Sequence, residues 1–193
     1  MTEVLKFKTT KKRSGKYDYT TMEWDLTEQL DVREFLKKNP EFQFKKVGKV
    51  VKNIKKTCSF EIQVLPGWEN KKFILYLLTV NGKILKGGKS KNPLPQRTYG
   101  AGTEINWTMK GSPSDTNYVY SQIFRQCLEN GDNIEFYCLQ APYNVNEFNI
   151  FGETKNIETS PYEEMESVLN KKLIDSLGRK PIGEGNLMEQ FKK

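Results

Sequence analysis

The sequence predicts an α+β fold of antiparallel strands and well-capped helices behind a basic N-terminal extension. Three observations carry this. "KKFILYLLTV" and "ILKGG" are apolar runs joined by Asn81-Gly82, the two-residue turn whose left-handed backbone matches the twist of a hairpin. "SPSDTNYVYSQIFRQCLENG" (112–131) and "SPYEEMESVLNKKLIDSLG" (160–178) both open on helix N-cap residues and close on glycine. Between them "NIEFYCLQ" has the length and β-branched and aromatic content of a strand.

Taken in order, residues 1–23 are polar and basic without periodicity and are expected to form a tail or an edge element. In "DLTEQLDVREFLKKNPEF" (25–42), Leu26, Leu30, Val32, Phe35 and Leu36 fall near helical spacing, with Pro40 as the stop. Val47, Val50, Val51 and Ile54 follow the i, i+3, i+4, i+7 pattern. That predicts a basic helix over 45–56, with Lys45, Lys49, Lys52 and Lys56 on another face, either solvated or touching phosphates. "CSFEIQVLPGW" alternates over 58–64 and turns at Pro66-Gly67, as a strand does. The hairpin and the 112–131 helix follow, the latter capped by Ser114 or Asp115. The polar stretch 142–159 is expected to be a long connection. The last helix has Ser160 as N-cap, Pro161 at its first position and Glu163 completing a capping box. Tyr162, Met165, Leu169 and Leu173 make its apolar stripe, and Glu166 borders that stripe, where a carboxylate is partly desolvated. The chain divides at about residue 70 into a basic extension and a domain over 71–193.

Composition narrows the chemistry. With no histidine, His-based acid–base catalysis, Ser-His-Asp triads and histidine-ligated zinc are excluded. Cys58, Cys127 and Cys138 are too widely spaced for a zinc knuckle and are expected to be reduced and structural. Tyrosine, lysine, arginine and carboxylates remain, the last suited to a hard ion such as magnesium. Thirty-one Lys and Arg against 24 Asp and Glu give +7 and a pI near 9.1, which favours a polyanionic partner. A mean hydropathy of −0.70, with no long apolar run and no signal-peptide centre, predicts a cytoplasmic protein without a membrane partner.

"KILKGGKSKNPLPQR" (83–97) ends in the Gly-Lys-Ser of a nucleotide phosphate loop. Such a loop needs its first glycine at position 83, where Lys83 stands, and must run into a helix, which Pro93 and Pro95 prevent. The order of features points elsewhere. A first-strand tyrosine in "ILY" (Tyr76), an "NG" hairpin, Lys86-Gly87-Gly88-Lys89-Ser90, then Arg97, then a glutamate on a later helix (Glu166) resembles the GIY-YIG endonuclease superfamily over roughly residues 73–178. Lys86 stands where most members have their second tyrosine, and is similar in this to the restriction-endonuclease branch.

The resemblance implies a small central antiparallel sheet flanked by helices, and a magnesium- or manganese-dependent endonuclease acting on double-stranded DNA, in restriction or by a phage. It assigns Tyr76, Lys86, Arg97 and Glu166 as catalytic, with Glu166 the metal ligand. Lys86 beside Tyr76 would lower the phenol's pKa and fit it to position or deprotonate water. Arg97 would clamp the phosphate with its planar fork, and Lys89 joins Lys49, Lys52 and Lys56 as expected DNA contacts. Two cuts from one site per chain imply a homodimer. The alternative is a non-catalytic nucleic-acid-binding protein on a nuclease-like scaffold.

Overall fold

A computed structural model of the chain describes residues 4–13, 16–52, 60–96 and 115–183. Its centre is a five-stranded antiparallel sheet in the order β4-β3-β7-β5-β6, formed by β3 (Lys45–Lys52), β4 (Phe60–Val64), β5 (Ile74–Val80), β6 (Lys83–Ser90) and β7 (Ile134–Gln140). Strands from both sides of residue 70 therefore share one sheet. β5 lies inside it and reads as a continuous apolar run because both of its faces are covered. One face packs on α2 (Asp115–Asn130) through Tyr120, Ile123, Phe124 and Cys127. The other packs on α1 (Val32–Lys38) through Val32 and Phe35, and on α3 (Tyr162–Leu177) through Leu169 and Leu173.

The β5–β6 hairpin forms as expected, with Asn81 and Gly82 at φ 50° and 80°. The helix ends at Asn130-Gly131 and at Gly178 also form, both glycines taking positive φ. Other expectations are corrected. The N-terminal region, expected as a tail or an edge element, contains a two-stranded sheet: β1 (Val4–Arg13) and β2 (Lys16–Asp25) pair antiparallel, with Leu5 and Trp24 buried beside α2. The first helix is shorter than predicted. Asp31 caps it, accepting from the backbone N–H groups of Arg33 and Glu34 at 2.9 and 3.3 Å, so Leu26 and Leu30 precede it.

Residues 45–52 form a strand, not a basic helix. The helical spacing of the valines has a different cause. A bulge at Val47 leaves it unpaired between Lys46 and Gly48 and switches the alternation, so Val47 and Val50 both face the core three residues apart. The connection 142–159 is also structured, as a protruding hairpin of β8 (Asn144–Ile150) and β9 (Glu153–Thr159). Ser160 does not cap α3: its hydroxyl donates to the Pro142 carbonyl at 2.7 Å, and Pro161 takes the N-cap position without a side-chain bond.

Cys127 and Cys138 are buried and in no disulfide, as expected, and Cys58 lies outside the described residues. Burial, with the nearby Asp132 charge, pushes the Cys127 thiol up to about 12. A thiol whose pKa is raised on folding leaves stability untouched below the unfolded value, near 9.0, and removes it as pH rises from there towards 12. Urea midpoints are therefore expected to fall more between about pH 8 and about pH 10 in wild type than in Cys127→Ala. Equal slopes in the two proteins would refute this.

Candidate active site

β6 is an edge strand, and its irregularity decides where its side chains point. The β5 register runs Tyr76 to Gly88 and Leu78 to Lys86, then Thr79 to Ile84, so Leu85 is a bulge residue. The bulge re-aims the strand, placing Leu85 and the neighbouring Lys86 on the same face. That face is the one carrying Tyr76, and the Lys86 Nζ lies 5.5 Å from the Tyr120 ring centroid. An ammonium over an aromatic face is held electrostatically.

Tyr76 is almost fully buried, its ring edge-on to Phe136 at 5.8 Å. It extends along its face to Gly88, where an added Cβ would come within 2.5 Å of both its Cζ and its hydroxyl oxygen. Glycine at 88 is thus what lets the phenol lie against the edge strand. Tyr120 is a residue that sequence reasoning missed. Its hydroxyl donates to the Gly183 carbonyl at 2.6 Å, and the Gly183 N–H donates to the Leu85 carbonyl at 2.8 Å. The segment after α3 is thereby clipped onto the bulge beside Lys86. A Cβ at Gly183 would fall 2.4 Å from the Tyr120 hydroxyl and 2.8 Å from the Leu85 oxygen. Tyr120→Phe keeps the ring under Lys86 but strands a buried carbonyl, and is expected to lower stability by about 1–3 kcal/mol in urea unfolding. An unchanged midpoint would mean that the clip contributes nothing.

Alternation sends Lys89 to the opposite face of β6, among side chains of α3. Its Nζ lies 3.1 Å from Glu166 Oε2 and 3.3 Å from Glu163 Oε1, and 5.6 Å from the Tyr162 ring centroid. Partial burial pulls the Lys89 pKa down, but the hydrogen bonds and charges of Glu166 and Glu163 outweigh it and hold the ammonium above its ordinary value. Glu166 is the better shielded acid, with a side chain 23% exposed against 62% for Glu163.

The structure therefore brings Tyr76 of β5 and Lys86 and Gly88 of β6 to one face of this strand pair, and Lys89, with Glu163 and Glu166 of α3, to the other. Arg97 and Lys56 lie outside the described residues. Lys49 and Lys52 are exposed on β3, three strands from β6 and so roughly 14 Å away. Gly87-Gly88-Lys89-Ser90 is strand, which agrees with the rejection of a nucleotide loop. A polar cleft of about 310 Å³ lined by Asp31, Arg33, Asn81, Glu135 and Tyr137 sits at the opposite, turn end of the β5–β6 hairpin.

Among the described residues no group of three or more acidic or thiol side chains could hold a metal. The Glu163 and Glu166 carboxylates nonetheless converge on one cation, the Lys89 ammonium. That donor set fits a hard ion that takes one or two carboxylates and completes its shell with water and phosphate oxygens.

No helix among the described residues is long and apolar enough to cross a membrane. No protein-family model matches the sequence, and no curated protein matches it. Solved structures are similar to the chain, two among them as follows. The restriction endonuclease HPY188I, in complex with product DNA, has a TM-score of 0.48 at 23% identity, covering 83% of this chain and 89% of that one. A mutant of EndoII from bacteriophage T4 has a TM-score of 0.52 at 21% identity, covering 78% of this chain and 97% of that one. The chain, with its five-stranded antiparallel sheet and flanking helices, shares the fold of that phage endonuclease.

Proposed function

We propose that the protein is a metal-dependent DNA endonuclease of restriction or phage type, from the GIY-YIG branch in which lysine replaces the second tyrosine. The observation that carries this reading is the edge strand β6. Together with its neighbour β5 it places the Tyr76 phenol and the Lys86 ammonium on one face, and Lys89, paired with Glu163 and Glu166 of α3, on the other. The fold shared with EndoII of bacteriophage T4 and the net charge of +7 support a DNA substrate.

In this mechanism the Tyr76 hydroxyl orients the attacking water and accepts its proton. Lys86 binds a non-bridging phosphate oxygen, and Arg97 clamps another. Glu166, with Glu163 beside it, would hold magnesium or manganese, which when bound neutralises charge developing on the phosphate. Lys49, Lys52 and Lys56 extend the basic surface over the N-terminal 70 residues and grip the duplex away from the cut. Two copies would cut the two strands.

A second reading has its own support. The Lys89 ammonium already pairs with both Glu163 and Glu166, an arrangement that also suits a nuclease scaffold retained only for binding DNA. Supercoiled plasmid with magnesium, with manganese, and with a chelator separates the two. Conversion to nicked or linear DNA that the chelator stops is the expected result. Salt-sensitive DNA binding without cleavage in either metal would favour the second reading, and DNA affinity insensitive to salt would count against both.

A further inference from the structure

Two carboxylates and one ammonium meet where β6 faces α3. Glu163 and Glu166 are neighbours along the helix surface, and the Lys89 Nζ bridges them at 3.3 and 3.1 Å while lying 5.6 Å from the Tyr162 ring centroid. Both ends of this contact sit on fixed elements. Leu169 and Leu173 bury α3 against the sheet. β6 is held by pairing with β5, Lys89 opposite Leu75, and just beyond its end the Phe73 N–H donates to the Lys91 carbonyl at 3.1 Å. The lysine stem is the movable part. Its side chain is 32% exposed on an edge strand, so the flexible stem opens onto solvent.

The charges at this point do not balance. One ammonium against two carboxylates leaves a net −1, which repels a phosphate. A divalent cation on the same two carboxylates raises the group to a net +1. It does so at the ammonium's expense, because two cations in contact with one pair of acids repel each other at short range. The existing contacts are a weak obstacle, since ion pairs between partly exposed side chains contribute little. Once out of the acids, the Lys89 ammonium is a mobile donor with no hydrogen-bonding duty to Glu163 or Glu166. A phosphate oxygen is the acceptor that suits it.

We infer that Lys89 is an exchangeable counter-ion: it occupies Glu163 and Glu166 until a divalent cation displaces it, and the displaced ammonium then binds a phosphate of the DNA. The inference rests on the metal-dependent reading proposed above, and adds that Lys89 has two working positions. Metal and duplex thereby bind cooperatively, because each favours the same position of one side chain. A lysine that merely ties β6 to α3 would keep one position whatever is added.

The test uses the full chain, first without DNA. Manganese binding is measured from the electron paramagnetic resonance signal of the free ion. Lysine acylation by an N-hydroxysuccinimide ester is read at Lys89 by peptide mass spectrometry, with and without magnesium. Lys89→Met, which keeps an unbranched stem, is expected to bind manganese about tenfold more tightly than wild type, whereas Lys89→Arg, which keeps the charge, should not. In wild type, magnesium should speed acylation of Lys89 severalfold and leave the exposed Lys49 of β3 unchanged. With cleavage stopped by Tyr76→Phe, magnesium at constant ionic strength should tighten duplex binding more when Lys89 is present than in Lys89→Met. Manganese that binds through Glu166, as shown by its loss in Glu166→Gln, but equally well in Lys89→Met, overturns the exchange and leaves the metal assignment standing. Lys89 acylation indifferent to magnesium, or equal tightening of duplex binding with and without Lys89, does the same. Manganese affinity that neither variant changes overturns both. Tighter manganese binding in Lys89→Met and faster Lys89 acylation in a wild type that does not nick plasmid uphold the exchange and overturn the nuclease reading.

Discussion

Replacing Glu166 by glutamine is expected to lower magnesium-dependent plasmid nicking by about 100-fold or more, while the unfolding midpoint moves little. The substitution keeps the side chain's shape and removes only its charge. Glu166 is the more shielded of the two acids that meet Lys89, so its charge is screened least and matters most to a bound cation. Its role in stability is small. The pair with Lys89 is partly exposed, and such pairs contribute about 0–1 kcal/mol; Lys89 also keeps Glu163 in the variant. Nicking should therefore collapse in a protein that remains folded. Equal nicking by wild type and Glu166→Gln would remove Glu166 from the chemistry, and a collapse in stability would make it a packing residue. Glu163→Gln is the control, since that acid is far more exposed and should cost less activity.

What the sequence made legible was what local backbone chemistry decides. The β5–β6 hairpin follows from Asn81-Gly82, and Gly131 and Gly178 end their helices in the left-handed conformation that glycine favours. What it hid was set by pairing across the chain. The β3 bulge at Val47 gives a strand the spacing of a helix, and only the partner β7 reveals it. β8 and β9 escaped because they are rich in asparagine and turn at Phe151-Gly152, both at positive φ, without the Asn-Gly signal of the other hairpin. The candidate site was half legible. Tyr76 and Lys86 do share a face, but that depends on the Leu85 bulge, and Lys89 joins Glu166 across the strand from them. Tyr120 carried no signal, because it reads as one more apolar residue of an amphipathic helix until Lys86 and Gly183 are seen beside it.

Gly88→Ala is expected to damage both stability and activity, large effects for one added methyl. The new Cβ would lie 2.5 Å from both the ring carbon Cζ and the hydroxyl oxygen of Tyr76, and 3.0 Å from Cε1. A flexible side chain could swing away, but this is a rigid ring, almost fully buried and packed edge-on against Phe136. Either the ring or the edge strand must move. Overpacking of this kind costs about 1–3 kcal/mol, read as a lower urea midpoint, and it displaces the hydroxyl proposed to orient water, so nicking should fall with it. The two effects can be separated. Tyr76→Phe does not relieve the clash, because Cζ remains, whereas Tyr76→Leu removes the ring end. The double variant Gly88→Ala with Tyr76→Leu should therefore recover stability relative to the sum of its two single variants, a coupling expected of residues in contact. It should stay inactive, because the phenol is gone. Strictly additive stabilities would show that Gly88 is not there to accommodate Tyr76. Full nicking by the double variant would show that Tyr76 takes no part in the reaction.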